Sequence, residues 1–547
     1  MLENRPTPRT IDRKNRLRLP AEPAAKQPAA ERIRNWDEVF LGFGAEAAMR
    51  EAQRCLQCPA APCTKACPLG NDIPAALWRI EHADPVGAAD VFRETSNLPE
   101  VCGRVCPQEK LCEGSCVVGL KGRATPVQIG KLEQYCTDLQ RTTTGIPVPG
   151  VSRIGAPVAV VGAGPAGLAA AEELAKTGHP VTVYDRWPLP GGTLRYGIPS
   201  FKLSKAVLDA KIAQLRAMGI TFVPERALGH DVEVAALRAN GFAAVFLGYG
   251  ASAGNRLEIE GQDLPGVFSA TDFLVRANLP PNHLPGDRRG PLAVGGRVLV
   301  IGGGDTASDC VRSAIRLGAR EVTCAYRRTE AEMPGRAEER RYARDEGVRI
   351  EFLAAPLRVL GVHGAGRVAG VEFARMELTE PDASGRRGVR LVAGGEFTIP
   401  ADTVVVATGY HVDEAATAAV RGLARRTGAI VMTETDTGRT SVPGVYAGGD
   451  ATTGPQLVAT AVAAGRRAAR AIHEDLSAAA ARSEPAAPDA ERAARGARHA
   501  GVHWSAHPLP PPVGALRAAR PAEEGSVGAL LDRWIDDLRF SNTQDGD

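Results

Sequence analysis

Short apolar runs, each followed by a turn or a helix-like stretch, organise the middle of the chain. They are VAVV at 158–161, VTVY at 181–184, VLVI at 298–301 and TVVV at 403–406. Apolar runs of this length bounded by turn residues predict buried strands, and the stretches after the first and third have the composition of helices. This alternation predicts an α/β fold with two strand–helix–strand units.

The first of these units contains a glycine turn with G-x-G-x-x-G spacing. Its sequence, GAGPAG, predicts contacts with a dinucleotide from Gly162, Ala163, Gly164, Pro165, Ala166 and Gly167. The first glycine permits a tight turn, the second lets backbone approach a pyrophosphate, and the third lets the helix pack on the strand. Asp185 closes the next strand, where a carboxylate can accept hydrogen bonds from ribose hydroxyls.

The second unit repeats the motif with a different ending. Its turn predicts nucleotide contacts from Gly302, Gly303, Gly304, Asp305 and Thr306. The following strand, EVTCAY, ends in Arg327 and Arg328, whose guanidinium groups can pair with a ribose 2′-phosphate that a carboxylate would repel. The second site should therefore prefer NADP over NAD, although a pair of solvated arginines at a strand end is the alternative.

Composition and the two ends of the chain set the remaining limits. The 547 residues are 44% hydrophobic and 24% charged with a net charge of +3, and no basic strip interleaved with aromatic residues suggests nucleic acid. No apolar run approaches 18 residues, so we expect a cytoplasmic protein without membrane contact. The Pro, Ala and charge content of residues 1–30 predicts a mobile arm. Residues 477–547 predict an Ala/Arg/Pro-rich extension that ends in an amphipathic helix over 526–540, which docks on the protein's own surface or on a partner.

Eight of the 11 cysteines lie between Cys55 and Cys116, in two groups. The first group has the spacing C-x2-C-x4-C-x3-C-P and consists of Cys55, Cys58, Cys63 and Cys67; the second consists of Cys102, Cys106, Cys112 and Cys116. Disulfides are not expected in the cytoplasm. The first spacing suits an iron–sulfur cluster whose last cysteine crosses to a second cluster, whereas structural zinc or an inert cysteine group is the alternative.

Eight motifs in order resemble one family over residues 31–476. They are RCLQCPAAPCTKACPLGNDIP, CGRVCPQEKLCEGSC, GAGPAGLAAA, GGTLRYGIPSFKL, GGGDTASDC, YRR, ATGY and AGGDA. Together they resemble the flavin-dependent electron-input module shared by the glutamate synthase small subunit, the amino-terminal half of dihydropyrimidine dehydrogenase, and the NADPH-binding subunit of a ferredoxin:NADP oxidoreductase. The resemblance implies FAD at the first glycine turn, NADPH at the second, and two [4Fe–4S] clusters.

The resemblance also implies which residues hold these groups. One cluster would be bound by Cys55, Cys58, Cys63 and Cys116, and the other by Cys67, Cys106, Cys112 and Glu133. Glu133 aligns with a Gln or Glu of relatives, whereas cysteine spacing alone nominates Cys102 as the last ligand. The other positions expected near the cofactors are Gly192, Thr193, Lys202, Ala407, Thr408, Gly409, Gly449, Asp450, Gln456 and Leu457. Of these, Lys202 matches a basic residue near the flavin in relatives, and the helix from Gln456 returns to the flavin.

The implied fold is an all-α iron–sulfur domain followed by two Rossmann-like domains, with the NADP domain inserted into the FAD domain. The expected boundaries are 31–150 for the iron–sulfur domain, 151–286 and 409–476 for the FAD domain, and 287–408 for the NADP domain. FAD belongs between NADPH, which gives two electrons at once, and clusters, which take one. No side chain needs to act as a nucleophile, and we nominate no catalytic residue.

The predicted function is therefore an NADPH-dependent flavin and iron–sulfur oxidoreductase of the glutamate synthase small-chain type. The chain has neither a glutaminase domain nor an FMN barrel, so a separate partner, such as the glutamate synthase large subunit or a ferredoxin, should accept the electrons. A subunit of the dihydropyrimidine dehydrogenase or ferredoxin-linked type is the first alternative, and a non-catalytic redox sensor is the second. A disulfide reductase is nearly excluded because no cysteine lies between Cys136 and Cys310.

Overall fold

A computed structural model of the protein describes residues 11–122, 124–290, 292–362, 366–381 and 387–483. The amphipathic helix predicted over 526–540 lies outside these residues. Of the helices within them, none is long and apolar enough to cross a membrane.

Short helices make up the chain before residue 144. They are α1 (Arg13–Arg16), α2 (Ala29–Arg32), α3 (Ala45–Gln53), α4 (Pro62–Ala66), α5 (Ile73–Glu81), α6 (Pro85–Thr95), α7 (Pro99–Val105) and α8 (Ile129–Thr143), with 3-10 turns at Gln108–Lys110 and Val117–Gly122. The α5 and α6 helices begin after Asp72 and Asp84, whose carboxylates accept the N–H groups of Ala75 and Gly87. A proline in the first turn of each helix costs no hydrogen bond there.

The described part of the predicted mobile arm, residues 11–30, lies against this helical unit. Arg16 forms an ion pair with Glu81 at 2.6 Å, and the Arg13 Nε donates to the Leu56 carbonyl at 3.1 Å. Lys26 forms a β-bridge with Phe40. The composition of the segment suggested mobility, but its arginines find carboxylate and carbonyl acceptors on the helices.

The next part of the chain builds the first α/β unit. Its elements are β1 (Val158–Val161), α9 (Pro165–Lys176), β2 (Val181–Tyr184), α10 (Thr193–Tyr196), α11 (Lys205–Ala217), β3 (Thr221–Val223), α12 (Val234–Ala239), β4 (Ala244–Leu247) and β5 (Ala253–Gly254).

A second α/β unit follows. Its elements are β6 (Val267–Ser269), α13 (Ala270–Asn278), β7 (Arg297–Ile301), α14 (Asp305–Arg316), β8 (Glu321–Tyr326), α15 (Ala337–Asp345), β9 (Arg349–Phe352), β10 (Ala354–Gly361), β11 (Val368–Pro381), β12 (Arg387–Pro400) and β13 (Thr403–Val406). The three strands β10, β11 and β12 form an antiparallel sheet.

The last described elements return to the first unit. They are β14 (Tyr410–His411), α16 (Glu414–Ala418), β15 (Arg425–Arg426), β16 (Ile430–Val431), β17 (Val445–Ala447), α17 (Asp450–Thr453) and α18 (Val458–Ser483).

Two parallel five-stranded sheets form the centres of these units. The first has the order β17-β4-β1-β2-β3 and the second β6-β13-β7-β8-β9. Because β17 pairs with β4, the second sheet is inserted between two neighbouring strands of the first. The strands β5 and β14, where the chain leaves and returns, pair as a short antiparallel ribbon. The predicted fold class is confirmed.

Helix α18 packs closely along α9 on the first sheet. A Cβ on Gly465 would lie 2.1 Å from the Ala166 carbonyl oxygen, so the two helices touch through backbone at that point. The buried side chains around the crossing are small, among them Ala170, Ala468 and Ala469. This contact holds the start of α18 beside the first glycine turn.

Candidate functional site

The three glycines of the first turn have different surroundings. Gly162 has φ = 104°, and a Cβ there would lie 2.4 Å from the Gly248 carbonyl oxygen. A Cβ on Gly167 would lie 1.8 Å from the Gly162 carbonyl oxygen. Around Gly164, by contrast, no described atom lies within 4 Å of a Cβ position. The turn therefore leaves open space at its middle glycine and at the N-terminus of α9, which fits a pyrophosphate.

The carboxylate of Asp185 holds this turn in place. Its Oδ2 accepts the Ala163 N–H at 2.6 Å, and its Oδ1 accepts the Trp187 N–H at 2.9 Å. Burial raises the pKa of Asp185, and the two N–H groups oppose that effect. Each carboxylate oxygen still has a lone pair that can accept a hydrogen bond from a ribose hydroxyl. Contact between Asp185 and a ribose stays a prediction.

Two further segments converge on the same turn, as the resemblance implied. The Gly191 N–H donates to the Ala163 carbonyl at 2.9 Å, and a Cβ on Gly192 would lie 2.9 Å from the Gly164 Cα. Gly449 has φ = 70°, and its Cβ would lie 2.8 Å from the Ala166 Cβ. Thr193 begins α10 directly after the paired glycines.

Asp450 is the first residue of α17, and two glycines separate it from the end of β17. Its Oδ1 accepts the Gln456 N–H at 3.1 Å, and burial raises its pKa to about 7. The helix expected from Gln456 begins at Val458, and the Leu457 carbonyl accepts the Ala461 N–H in its first turn. A carboxyl group with such a pKa can either donate to or accept from a hydroxyl at neutral pH.

The second glycine turn repeats this arrangement. No described atom lies within 4 Å of a Cβ position on Gly304, at the N-terminus of α14. A Cβ on Gly302 would lie 2.3 Å from the Ala407 carbonyl oxygen, so the Ala407–Gly409 turn after β13 lies beside it. Thr306 shares a side-chain hydrogen bond with Tyr410. The space at Gly304 fits a second pyrophosphate.

The two arginines at the end of β8 differ in their surroundings. Arg327 is exposed, whereas the Arg328 Nε is buried and has no hydrogen-bond partner among the described residues. A buried donor without an acceptor is unfavourable. Arg328 therefore fits an anionic ligand such as a 2′-phosphate.

Lys202 joins the two units. Its Nζ donates to the Asp309 Oδ1 of α14 at 2.8 Å and lies 3.9 Å from Glu339. Coulombic attraction from Asp309 and Glu339 raises the pKa of Lys202 against the effect of burial. Its ammonium is thus committed to an ion pair with the second unit, a contact that the sequence did not predict.

Four cysteines line one apolar cavity in the helical unit. The walls of the cavity include Cys55, Cys58, Cys63 and Cys116, together with apolar side chains such as Leu56 and Ile73. Burial raises the pKa of Cys55 to about 12 and that of Cys63 to about 11, so a cation must bind before these thiols ionise at pH 7.

A single metal ion does not suit this geometry. Zinc requires its sulfur ligands within about 2.3 Å of one point. The described residues contain no group of three or more His, Cys, Asp or Glu side chains placed to hold one ion. Four thiols around an open cavity instead fit a larger inorganic cluster, which favours iron–sulfur over zinc.

The remaining ligand candidates gather at a second position. Cys67, Cys102 and Cys112 each interact electrostatically with Cys106 and with Glu133. Glu133 is 6% exposed, burial raises its pKa well above the usual range, and its hydrogen bond from Asn71 is long, at 3.4 Å. Cys102 shares a hydrogen bond with Cys106. Both Glu133 and Cys102 therefore stay candidates for the last ligand.

Comparison with known proteins identifies the chain. A family model described as pyridine nucleotide-disulphide oxidoreductase matches residues 156–465, and one described as dihydropyrimidine dehydrogenase domain II, 4Fe-4S cluster, matches residues 32–144. The small chain of NADPH glutamate synthase from Escherichia coli K12 is 41% identical over 454 residues, which are 82% of this chain and 95% of that one. The chain belongs to the glutamate synthase small-chain family.

Other relatives of this glutamate synthase small-chain homologue are similar over comparable lengths. The NAD-dependent dihydropyrimidine dehydrogenase subunit PreT of Escherichia coli O157:H7 is 36% identical, covering 80% of this chain and 97% of that protein. Mycobacterium tuberculosis FprA in complex with NADPH has a TM-score of 0.51 at 23% identity, covering 62% of this chain and 89% of that one, which supports the fold alone.

This small-chain homologue is a flavin-dependent oxidoreductase with FAD- and NADP-binding units and an iron–sulfur unit. Sequence reasoning missed several residues at its sites. Ala459 packs against Cys102 and Cys106, and Gln108 and Arg336 connect the second cysteine position to the second glycine turn. Spacing carries no signal for them, because their partners lie far away along the chain.

Proposed function

We propose that the chain is the electron-input subunit of a glutamate synthase. It passes electrons from NADPH through FAD to two [4Fe–4S] clusters and on to a separate subunit. When bound, FAD accepts a hydride from NADPH and releases electrons one at a time, the form in which a cluster takes them.

The observation that carries the proposal is a helix shared by the flavin turn and a cysteine position. The Gly449–Asp450 turn lies beside Ala166, and α18 starts a few residues later. In the first turn of α18, the Ala459 backbone is among the groups that lower the pKa of the Cys106 thiol. Cys102, Cys106 and Ala459 pack in one apolar cluster. A flavin at the first glycine turn and a cluster at Cys106 would therefore be neighbours.

The two cysteine positions are also ordered from inside to outside. At the second position Cys102, Cys106 and Cys112 are buried and Cys67 is half-buried, whereas around the cavity Cys58, Cys63 and Cys116 are half-buried and Cys55 is buried. Cys67 links them, since it follows Cys63 in sequence but lies in the second position. This order supports a route from the inner position to the outer one, where a partner can approach.

The chain's own residues bind and orient the nucleotides. Gly164 and Gly304 leave space at two helix N-termini, whose N–H groups attract phosphate. The Arg328 guanidinium would bind the 2′-phosphate of NADPH. The Lys202–Asp309 ion pair fixes the second unit against the loop after α10. The relative position of the two nucleotides then depends on this buried contact.

A second candidate partner is a pyrimidine-reducing subunit. The iron–sulfur family model is named after dihydropyrimidine dehydrogenase, and PreT is 36% identical over most of the chain. In that case the same relay would deliver electrons to a different catalytic subunit.

Anaerobic mixing with NADPH tests the relay. The flavin absorbance should bleach, and an artificial one-electron acceptor should be reduced; a flavin that stays oxidised contradicts the proposal. Iron analysis should give about eight atoms per chain, because each cluster holds four, and about four would mean a single cluster. Addition of a large subunit with a glutaminase domain and an FMN barrel should support NADPH-dependent glutamate formation. Uracil reduction with a pyrimidine-reducing subunit would favour the second candidate.

A further inference from the structure

A short loop before α15 touches both the second glycine turn and the inner cysteine position. It consists of Pro334, Gly335 and Arg336. The Gly335 N–H donates to the Gly303 carbonyl at 3.1 Å, and the Arg336 N–H donates to the Asp305 Oδ1 at 2.9 Å. A Cβ on Gly335 would lie 3.1 Å from the Gly304 carbonyl carbon. The loop therefore lies directly against the turn that would receive NADP(H).

The other side of the loop contacts the helical unit. The Arg336 Nη2 donates to the Gln108 Oε1 at 3.1 Å, and its Nη1 donates to the Arg104 carbonyl at 3.3 Å. Lys110 donates from its ammonium to the Pro334 carbonyl. These three partners lie in the segment between Cys102 and Cys112.

Gln108 is the residue that holds this segment together. Its Nε2 donates to the Cys102 carbonyl at 3.3 Å and to the Gly103 carbonyl at 3.0 Å. Its own backbone carbonyl accepts the N–H groups of Leu111, Glu113 and Gly114. A change at the Arg336 guanidinium therefore acts on the turn that carries Cys106 and Cys112.

Arg336 is also a buried cation. Its side chain is 9% exposed, and its Nε makes no hydrogen bond with any described residue, lying 3.8 Å from a Glu109 oxygen. Positive charge and hydrogen bonds close to a cluster stabilise its reduced state, which carries one more negative charge. The backbone N–H of the same residue contacts Asp305 of the second glycine turn.

We propose that Arg336 is a positioning residue that couples nucleotide binding at the second glycine turn to the reduction potential of the inner cluster. The inference rests on the proposed function, since it requires NADP(H) at Gly304 and a cluster at Cys67, Cys106 and Cys112. Nucleotide phosphates beside Asp305 attract the Arg336 charge and weaken its effect on the cluster. Bound nucleotide should therefore lower the cluster's potential, and by linkage the oxidised protein should bind nucleotide more tightly than the reduced protein.

The test uses 2′,5′-ADP, which carries the 2′-phosphate and the adenosine 5′-phosphate of NADP but exchanges no electrons. Its Kd is measured by anaerobic calorimetry on the oxidised and the reduced holoenzyme, and the cluster potential by EPR-monitored titration with and without it. We expect about fivefold tighter binding to the oxidised protein. For a one-electron couple this corresponds to a potential lowered by about 40 mV.

Two substitutions separate Arg336 from its surroundings. Arg336→Met keeps the backbone contact with Asp305 but loses Gln108 and Arg104, and the ratio of the two Kd values should fall below twofold. Arg340→Met removes an equal charge from α15, the helix that begins directly after Arg336. Because the contacts of Arg340 are with Gly335 and Glu330, not with the cysteine segment, its ratio should stay near fivefold.

An undiminished ratio in Arg336→Met overturns the proposal, as does a ratio near one in the unaltered protein. If Arg336→Met loses iron, Arg336→Lys is measured in its place. Lysine keeps the charge that carries the coupling, so the ratio should stay above twofold, and a ratio near one in Arg336→Lys overturns the proposal. Failure of the proposed function has a different signature, which is absent iron or absent binding of 2′,5′-ADP to the unaltered protein.

Discussion

The two glycine turns have the same backbone design but are completed by different residues. Each leaves open space at its middle glycine and packs its first glycine against a neighbouring strand end. The first turn is held by the Asp185 carboxylate, and Asp450 lies at the opposite strand end. The second is held by the Pro334–Arg336 loop and bordered by Arg328 and the uncharged Ala407–Gly409 turn. We infer that the shared motif binds a dinucleotide and that the residues around it select which one.

Substitutions at the third residue of each motif should show the largest difference between the two turns. In Gly167→Ala the new Cβ would lie 1.8 Å from the Gly162 carbonyl oxygen, so the turn must move; we expect a loss of about 4 kcal/mol and flavin-free protein. The matched change Ala307→Gly, at a buried position where alanine is native, should cost about 1 kcal/mol. Thermal unfolding and FAD content per chain measure both, and equal losses would contradict the distinction.

The first site alone should carry a pH-dependent contribution from its strand end. Burial raises the Asp450 pKa from 3.8 to about 7. Because the folded pKa is the higher one, this contribution to stability is complete below about pH 4 and is lost as the pH rises towards 7. In flavin-free protein, stability relative to Asp450→Asn should fall by about 3 kcal/mol across this range. Parallel unfolding curves for the two proteins between pH 4 and 8 would be the opposite result.

Removing the arginines should affect only the second site. The double variant Arg327→Gln/Arg328→Gln should bind NADPH about 30-fold more weakly than the unaltered protein, a loss of roughly 2 kcal/mol. Its affinity for NADH should stay within about threefold, because NADH lacks the 2′-phosphate. The control is Arg341→Gln, which removes an exposed arginine from α15. Stopped-flow measurement of flavin reduction at varied nucleotide concentration gives both affinities. Equal losses for the two nucleotides would eliminate the 2′-phosphate role.

The smallest effect is expected at the acid of the first turn. Asp185→Asn keeps one acceptor oxygen where the native carboxylate has two, so either Ala163 or Trp187 loses its partner. We expect a loss of about 1 kcal/mol and faster FAD release, with NADPH affinity unchanged within twofold. Fluorescence of released flavin follows the first effect, and a change confined to NADPH would show that Asp185 acts elsewhere.

Local patterns predicted much of this architecture. The apolar runs at 158–161 and 298–301 are strands β1 and β7, and the glycine spacing after each marks a turn and a helix N-terminus. The cysteine spacing predicted that Cys67 leaves its group, and the structure places it with Cys106 and Cys112. These features are readable because a turn or a chelating loop is built from residues a few positions apart. The helix predicted from near Gln456 is α18, which starts at Val458. The Gln456 N–H lies in the preceding loop and donates to the Asp450 carboxylate.

By itself the sequence determined two dinucleotide units and a cysteine-rich helical unit, and it predicted that an acid and an arginine pair divide the two nucleotides. The tertiary structure decided how these units meet. Lys202 pairs with Asp309, 107 residues away, and Arg336 with Gln108, 228 residues away. No local spacing encodes such pairs, because they form only when separately folded surfaces are packed together. These contacts, more than the motifs, set how the glycine turns are placed relative to each other and to the cysteines.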